Sequence, residues 1–147
     1  MGMRLRLADE SATAALGARL AERARPGDVL LLEGPLGAGK STLARAFIRA
    51  LMQDEKLTVP SPTFTLVQAY ETPGGAEIWH FDLWRLNGPE GLAELGWDEA
   101  EQKIVLVEWP DRLGRLTPAD ALRLTLSPED GGREIELQGE QRWLDGL

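Results

Sequence analysis

Val29-Leu30-Leu31-Leu32-Glu33-Gly34-Pro35-Leu36-Gly37-Ala38-Gly39-Lys40-Ser41-Thr42 is the stretch from which the rest of the chain can be read. An uninterrupted apolar run, Val29 to Leu32, leads into G-x-x-x-x-G-K-S, and Leu43 to Met52 continues with apolar residues at helical spacing. The run predicts a buried strand and the spacing a helix, so the motif lies between the two elements that a phosphate-binding loop requires. Gly34, Gly37 and Gly39 permit backbone angles and close approaches that a side chain forbids, which lets successive loop N–H groups point at phosphate oxygens. The helix predicted to start near Lys40 adds the positive potential of its unpaired N–H groups. Lys40 is placed to reach β- and γ-phosphates, and the Ser41 hydroxyl to ligate Mg²⁺. A nucleoside triphosphate is the ligand these residues point to.

Upstream of the loop, Arg4 to Leu7 alternates charged and apolar residues, as a short edge strand would. Asp9 offers a helix N-cap, and Leu16, Leu20 and Ala24 recur at helical spacing through Ser11 to Ala24, after which Pro26-Gly27-Asp28 ends the helix. Downstream, Val59-Pro60-Ser61-Pro62-Thr63 is a stiff connector, because its two prolines remove donors and push their neighbours to extended conformations. Phe64 to Glu71 and Glu77 to Leu83 read as strands of an antiparallel hairpin around Thr72-Pro73-Gly74-Gly75. Asn87-Gly88-Pro89 opens a short helical stretch to about Leu95, with a second from Asp98 to Gln102. Ile104 to Val107 is a continuous apolar run of the kind found in a strand covered on both faces. Ala121 to Leu126 and Glu134 to Leu137 alternate around Asp130-Gly131-Gly132-Arg133 as a closing hairpin, and Glu140 to Leu147 has no clear pattern. The expected fold is α/β, a mixed sheet flanked by helices with added antiparallel hairpins.

With 147 residues, the chain is expected to form one domain, residues 1–147. Its formal charge of −8 argues against a broad basic face that would hold nucleic acid by neutralising phosphates. Any RNA is then expected to be held by a partner. The chain has no cysteine, which excludes disulfides and thiol chemistry and fits a reducing cytoplasm. No run approaches membrane-spanning length and the N-terminus leads into no apolar signal region, so a soluble, cytoplasmic protein is expected.

A phosphate loop needs acidic help to hold Mg²⁺ and orient water, usually at the end of a neighbouring strand. Glu108 ends the run from Ile104, and Asp82 ends Ile78-Trp79-His80-Phe81. Either carboxylate could ligate Mg²⁺, directly or through water, while the other positions the attacking water. Trp109 follows Glu108 and is either a wall of the nucleotide pocket or core packing. Thr63 is either a γ-phosphate-responsive switch residue or part of an ordinary stiff loop. His80 is the only histidine and, with no second His or Cys to build a zinc site, reads as structural or hydrogen-bonded within its strand neighbourhood.

Gly34 to Thr42, Ser61-Pro62-Thr63-Phe64-Thr65-Leu66-Val67, His80-Phe81-Asp82-Leu83-Trp84-Arg85-Leu86 and Val107-Glu108-Trp109-Pro110, in this order and spacing, resemble one family. It is TsaE, the P-loop ATPase of bacterial tRNA threonylcarbamoyladenosine modification, and the likeness runs from about Asp9 to Leu137. The resemblance implies an ATPase, weak alone, that supports TsaB and TsaD while TsaD transfers threonylcarbamoyl to adenosine 37 of ANN-reading tRNAs, with tRNA met through the complex. It implies that Gly37, Ala38, Gly39, Lys40, Ser41 and Thr42 hold the phosphates of ATP, that Ser41 and Glu108 surround Mg²⁺, and that Asp82 joins the metal or water network. Trp109 would lie near the nucleotide, Thr13 on the first helix would approach the adenine, and Thr63 would belong to a switch-like segment. The chain departs from the family at Pro35, where Asp is usual, at Ser41, where Thr is common, and at Trp84, where Tyr is common. Serine keeps the metal-binding hydroxyl.

Two other functions use the same loop. A small-molecule kinase would need a lid carrying arginines over the phosphates, for which Arg112 and Arg115 are available. A non-hydrolysing module would report its ATP state to a partner. No N-K-x-D follows the apolar run, which disfavours a guanine-specific switch.

Overall fold

The computed structural model describes residues 1–147. Seven strands, β1 (Gly2–Leu7), β2 (Val29–Glu33), β3 (Val67–Glu71), β4 (Glu77–Asp82), β5 (Ile104–Glu108), β6 (Leu122–Glu129) and β7 (Gly132–Gln138), form one mixed sheet in the order β1-β7-β6-β2-β5-β4-β3. The helices are α1 (Glu10–Arg23), α2 (Lys40–Met52) and α3 (Gln141–Leu144), with short 3₁₀ turns between Pro89 and Gln102 and from Pro110 to Leu116. None is long and apolar enough to cross a membrane.

β2 lies at the centre, parallel to β5 on one side and β6 on the other, and β4 extends the parallel block beyond β5. Its apolar run has a simple cause. Leu30 and Leu32 face the core beneath α1 and α2, while Leu31 faces a second core with Phe81, Leu92, Trp97 and Leu113. β5 divides in the same way, with Ile104 and Leu106 on the helix side and Val105 and Val107 on the 3₁₀ side. A strand covered on both faces has no position left for a polar residue until it emerges. β5 emerges at Glu108.

The first helix starts where its cap predicts: the Asp9 carboxylate accepts the Ala12 N–H at 2.8 Å. One expected boundary is corrected. β3 begins at Val67 rather than Phe64, because Leu66 adopts φ 69° in a tight turn, its N–H donating to the Pro62 carbonyl at 2.6 Å. Phe64 is 81 % exposed, under the guanidinium of Arg85 rather than in the core. The short helical stretches expected from Asn87 to Leu95 and from Asp98 to Gln102 are present as 3₁₀ turns. The C-terminal segment, without visible pattern in sequence, makes the one-turn α3, which buries Trp143 and Leu144 against the α1 side of the core.

Candidate functional site

The topology brings the C-terminal ends of β2, β4 and β5 to one edge, the usual place for a ligand in an open α/β sheet. β2 delivers the glycine-rich loop, and α2 starts at Lys40 with Gly39 as its N-cap at φ 105°. A Cβ on Gly39 would meet only the movable end of the Arg133 side chain, so it is the positive φ that calls for glycine there. Gly34, at φ 144°, passes 2.5 Å from the Leu126 carbonyl oxygen, measured from where its Cβ would stand. Gly37 and Gly39, both at positive φ, are held as glycine by torsion, and Gly34 by sterics as well.

A cleft of about 370 Å³ opens in front of it, lined by Gly37, Gly39, Lys40, Ser41 and Thr42 from the loop and helix. Asp82, Glu108, Trp109, Ser61 and Thr63 line the opposite wall, and Glu10 and Arg133 stand at the rim. The volume falls in the range of small-molecule sites. Lys40, Asp82 and Glu108 are 6 %, 4 % and 6 % exposed. Parallel pairing sets Asp82 directly opposite Glu108, so the two carboxylates leave adjacent strands on one face.

Each acidic group is held differently. Asp82 uses both oxygens: Oδ1 accepts the Trp84 N–H at 3.0 Å and Oδ2 the Thr63 hydroxyl at 3.1 Å. Thr63 and Ser61 share a 2.8 Å hydroxyl contact, and Arg85 Nε donates to the Thr63 carbonyl at 3.2 Å. The proline-rich connector is thus fastened to β4 through the Asp82 carboxylate itself. Glu108 Oε2 instead meets His80 Nε2 at 2.7 Å. The sole histidine, read from the sequence as a strand neighbour without a defined partner, is a partner of the site carboxylate.

Lys40 Nζ lies 4.1 Å from the ring centroid of Trp109, whose other neighbour, Trp84, has its ring centroid 4.4 Å away. Burial draws the Lys40 pKa below its ordinary value, while Glu108, Asp82 and Asp111 pull the other way. Trp109 holds φ 60°, ψ 54°, a left-handed conformation that a bulky residue adopts only when its surroundings impose it. The ring is thereby turned to the cleft.

Of the residues singled out in sequence, Gly37, Gly39, Lys40, Ser41, Thr42, Thr63, Asp82, Glu108 and Trp109 line this one cleft. Gly34 lies on the other side of the loop, beside Pro35 and Trp109, and Ala38 is buried beneath it. Thr13 is fully buried, its hydroxyl donating to the Asp9 carbonyl at 3.2 Å; Glu10, one turn earlier, is the α1 residue at the rim. Arg133 escaped sequence reasoning because its Asp-Gly-Gly-Arg context marks a hairpin turn. Only the placement of β7 carries it to Gly39.

The donor set bears on the metal. No group of three or more His, Cys, Asp or Glu is gathered as a protein cage. Mg²⁺ is characteristically held by one or two carboxylates, a hydroxyl and phosphate oxygens, with water completing the octahedron. Ser41, Glu108 and Asp82 beside the glycine-rich loop fit that pattern.

Residues 7–135 match the model of the family described as threonylcarbamoyl adenosine biosynthesis protein TsaE. Proteins named tRNA threonylcarbamoyladenosine biosynthesis protein TsaE are 36% identical in Rickettsia felis over 130 residues, 88% of this chain and 75% of the relative. The Bacillus subtilis protein of that name is 35% identical over 136 residues, 90% of this chain and 83% of the relative. The crystal structure of Bacillus subtilis YdiB superposes with a TM-score of 0.76 at 29% identity, covering 98% of this chain and 90% of that one.

Proposed function

The chain belongs to the TsaE family, and from that premise we propose that it is a Mg²⁺-dependent ATPase serving tRNA threonylcarbamoyladenosine synthesis. It acts with TsaB and TsaD in the cytoplasm, during modification of adenosine 37 in ANN-reading tRNAs, and meets tRNA through that complex. The observation that carries the ATPase reading is the meeting of Lys40 and Ser41, at the start of α2, with buried Asp82 and Glu108 in one cleft.

The loop N–H groups from Gly37 to Thr42 bind the phosphates, and Lys40 leaves the Trp109 face to lie against the β- and γ-phosphates. Arg133, lying against Gly39, adds a second cation to the cleft. Ser41 and Glu108, which keeps Oε1 clear of His80, would hold Mg²⁺; when bound, the ion offsets charge building on the phosphate oxygens. Asp82 joins the network around Mg²⁺, through water, and orients the attacking water. Because Asp82 also accepts the Thr63 hydroxyl, the connector feels any change at the γ-phosphate, which gives a partner something to read. The −8 charge supports contact with tRNA through partners rather than by a basic face of its own.

Hydrolysis rate against Mg²⁺ concentration tests the acidic half of this site. Asp82→Asn keeps an acceptor for the Trp84 N–H and offers the Thr63 hydroxyl a donor instead, while removing the charge, and is expected to lower the rate by roughly tenfold or more with a flattened Mg²⁺ dependence. A metal titration indistinguishable from the parent's would remove Asp82 from the site chemistry.

A further inference from the structure

We propose that His80 is the positioning residue of the site: it holds Glu108 by one carboxylate oxygen so that the other faces Mg²⁺ and the phosphates. This assignment rests on the ATPase reading above.

Geometry supports it in three ways. β4 and β5 run parallel with His80 opposite Leu106 and Asp82 opposite Glu108, so His80 stands on the same sheet face as both carboxylates and reaches diagonally forward to Glu108. The contact, Nε2 to Oε2 at 2.7 Å, is short, and the residues are only 2 % and 6 % exposed, which withdraws it from bulk water. The space that the pair lines together with Ser41, Arg45 and Ser61 amounts to about 20 Å³, room for about one water. A carboxylate accepts only, so Nε2 is the donor, and the bond occupies one lone pair of Oε2 and leaves Oε1 the freer oxygen for a metal. Glu108 Oε1 is the oxygen left to the cleft. Nδ1 is buried with no hydrogen-bond partner in the protein, which makes the bond to Glu108 the only polar side-chain contact that fixes the ring.

A histidine that merely filled space would be replaceable by an apolar residue of similar size. A positioning histidine is replaceable only by a side chain that presents a donor where Nε2 stands, and glutamine does so. Hydrogen-bond partners of metal-ligating groups typically change metal affinity or activity by about 10- to 100-fold when removed.

Because His80 is the only histidine, the ring ¹⁵N spectrum of the labelled protein reports it without ambiguity. Nε2 is expected to carry a slowly exchanging proton in the parent, with protection lost in Glu108→Ala. The functional series is His80→Phe, His80→Gln, Glu108→Gln and the double variant His80→Phe/Glu108→Gln, each first checked for a native thermal melt. His80→Phe is expected to lose about 10- to 100-fold in kcat, to need more Mg²⁺ for half-maximal rate, and to bind ATP within about threefold of the parent. His80→Gln recovers most of the rate, and the double variant is no slower than Glu108→Gln alone. The role is overturned by an unprotonated Nε2, by a His80→Phe rate equal to the parent's, by failure of His80→Gln to improve on His80→Phe, or by additive losses. If His80→Phe does not fold, His80→Gln and the ¹⁵N spectrum decide. Should the parent fail to bind Mg²⁺-ATP in a calorimetric titration, the nucleotide reading itself falls, whereas ATP binding with His80→Phe turning over normally removes only the role of His80.

Discussion

Lys40→Ala is expected to abolish tight ATP binding while leaving the fold intact. Lys40 is the one cation set inside the cleft wall at the start of α2, and Arg133 reaches it only from the rim. Its ammonium lies close enough to Asp82 and Glu108 for both to act on its charge, so the alanine variant presents a triphosphate with two buried carboxylates and less to offset them. Removing a buried charged partner typically costs about 3 kcal/mol, or about a hundredfold in affinity. The fold tolerates the change because the ammonium rests on an aromatic face, with no ion pair that would be left broken. Calorimetric titration with Mg²⁺-ATP reads the effect. Affinity equal to the parent's would contradict the phosphate-loop reading.

Glu108 behaves differently, since it acts on turnover more than on binding. Glu108→Gln is expected to lower hydrolysis on the order of a hundredfold while the Kd for ATP moves by less than about tenfold. The loop and Lys40 still hold the phosphates, but the charge beside the metal position is gone. Glu108→Ala should hydrolyse as poorly and also melt earlier, because it leaves the buried His80 Nε2 without its acceptor, a loss of about 1–3 kcal/mol. Single-turnover hydrolysis and thermal melts separate the two consequences. Equal rates for Glu108→Gln and the parent would move the catalytic carboxylate elsewhere.

What could be read from the residues follows from how locally each feature is determined. β2 and β5 were legible because both faces of each strand are covered, which forces unbroken apolar runs that end only as the strands emerge, at Glu33 and Glu108. The loop was legible because its backbone needs glycine at particular places, and Asp9 because a cap acts within one turn. Phe64 misled because strand-forming residues also serve exposed turns, and nothing local announces that Leu66 turns left-handed. The closing hairpin was visible as a hairpin, but not its place: β6 lies parallel to β2, nearly ninety positions earlier in the chain, and only that pairing brings Arg133 over the loop. His80 was hidden for the same reason. Its partner is 28 residues away on a neighbouring strand, and the register that joins them is a property of the sheet.

ATP hydrolysis by this chain alone, then with TsaB and TsaD, with and without tRNA, tests the central claim most directly. A slow Mg²⁺-dependent rate that rises several-fold when both partners are present is the predicted result. A rate that the partners leave unchanged, although ATP is bound, would contradict the account and point instead to a kinase with another acceptor or to a module that binds ATP without spending it.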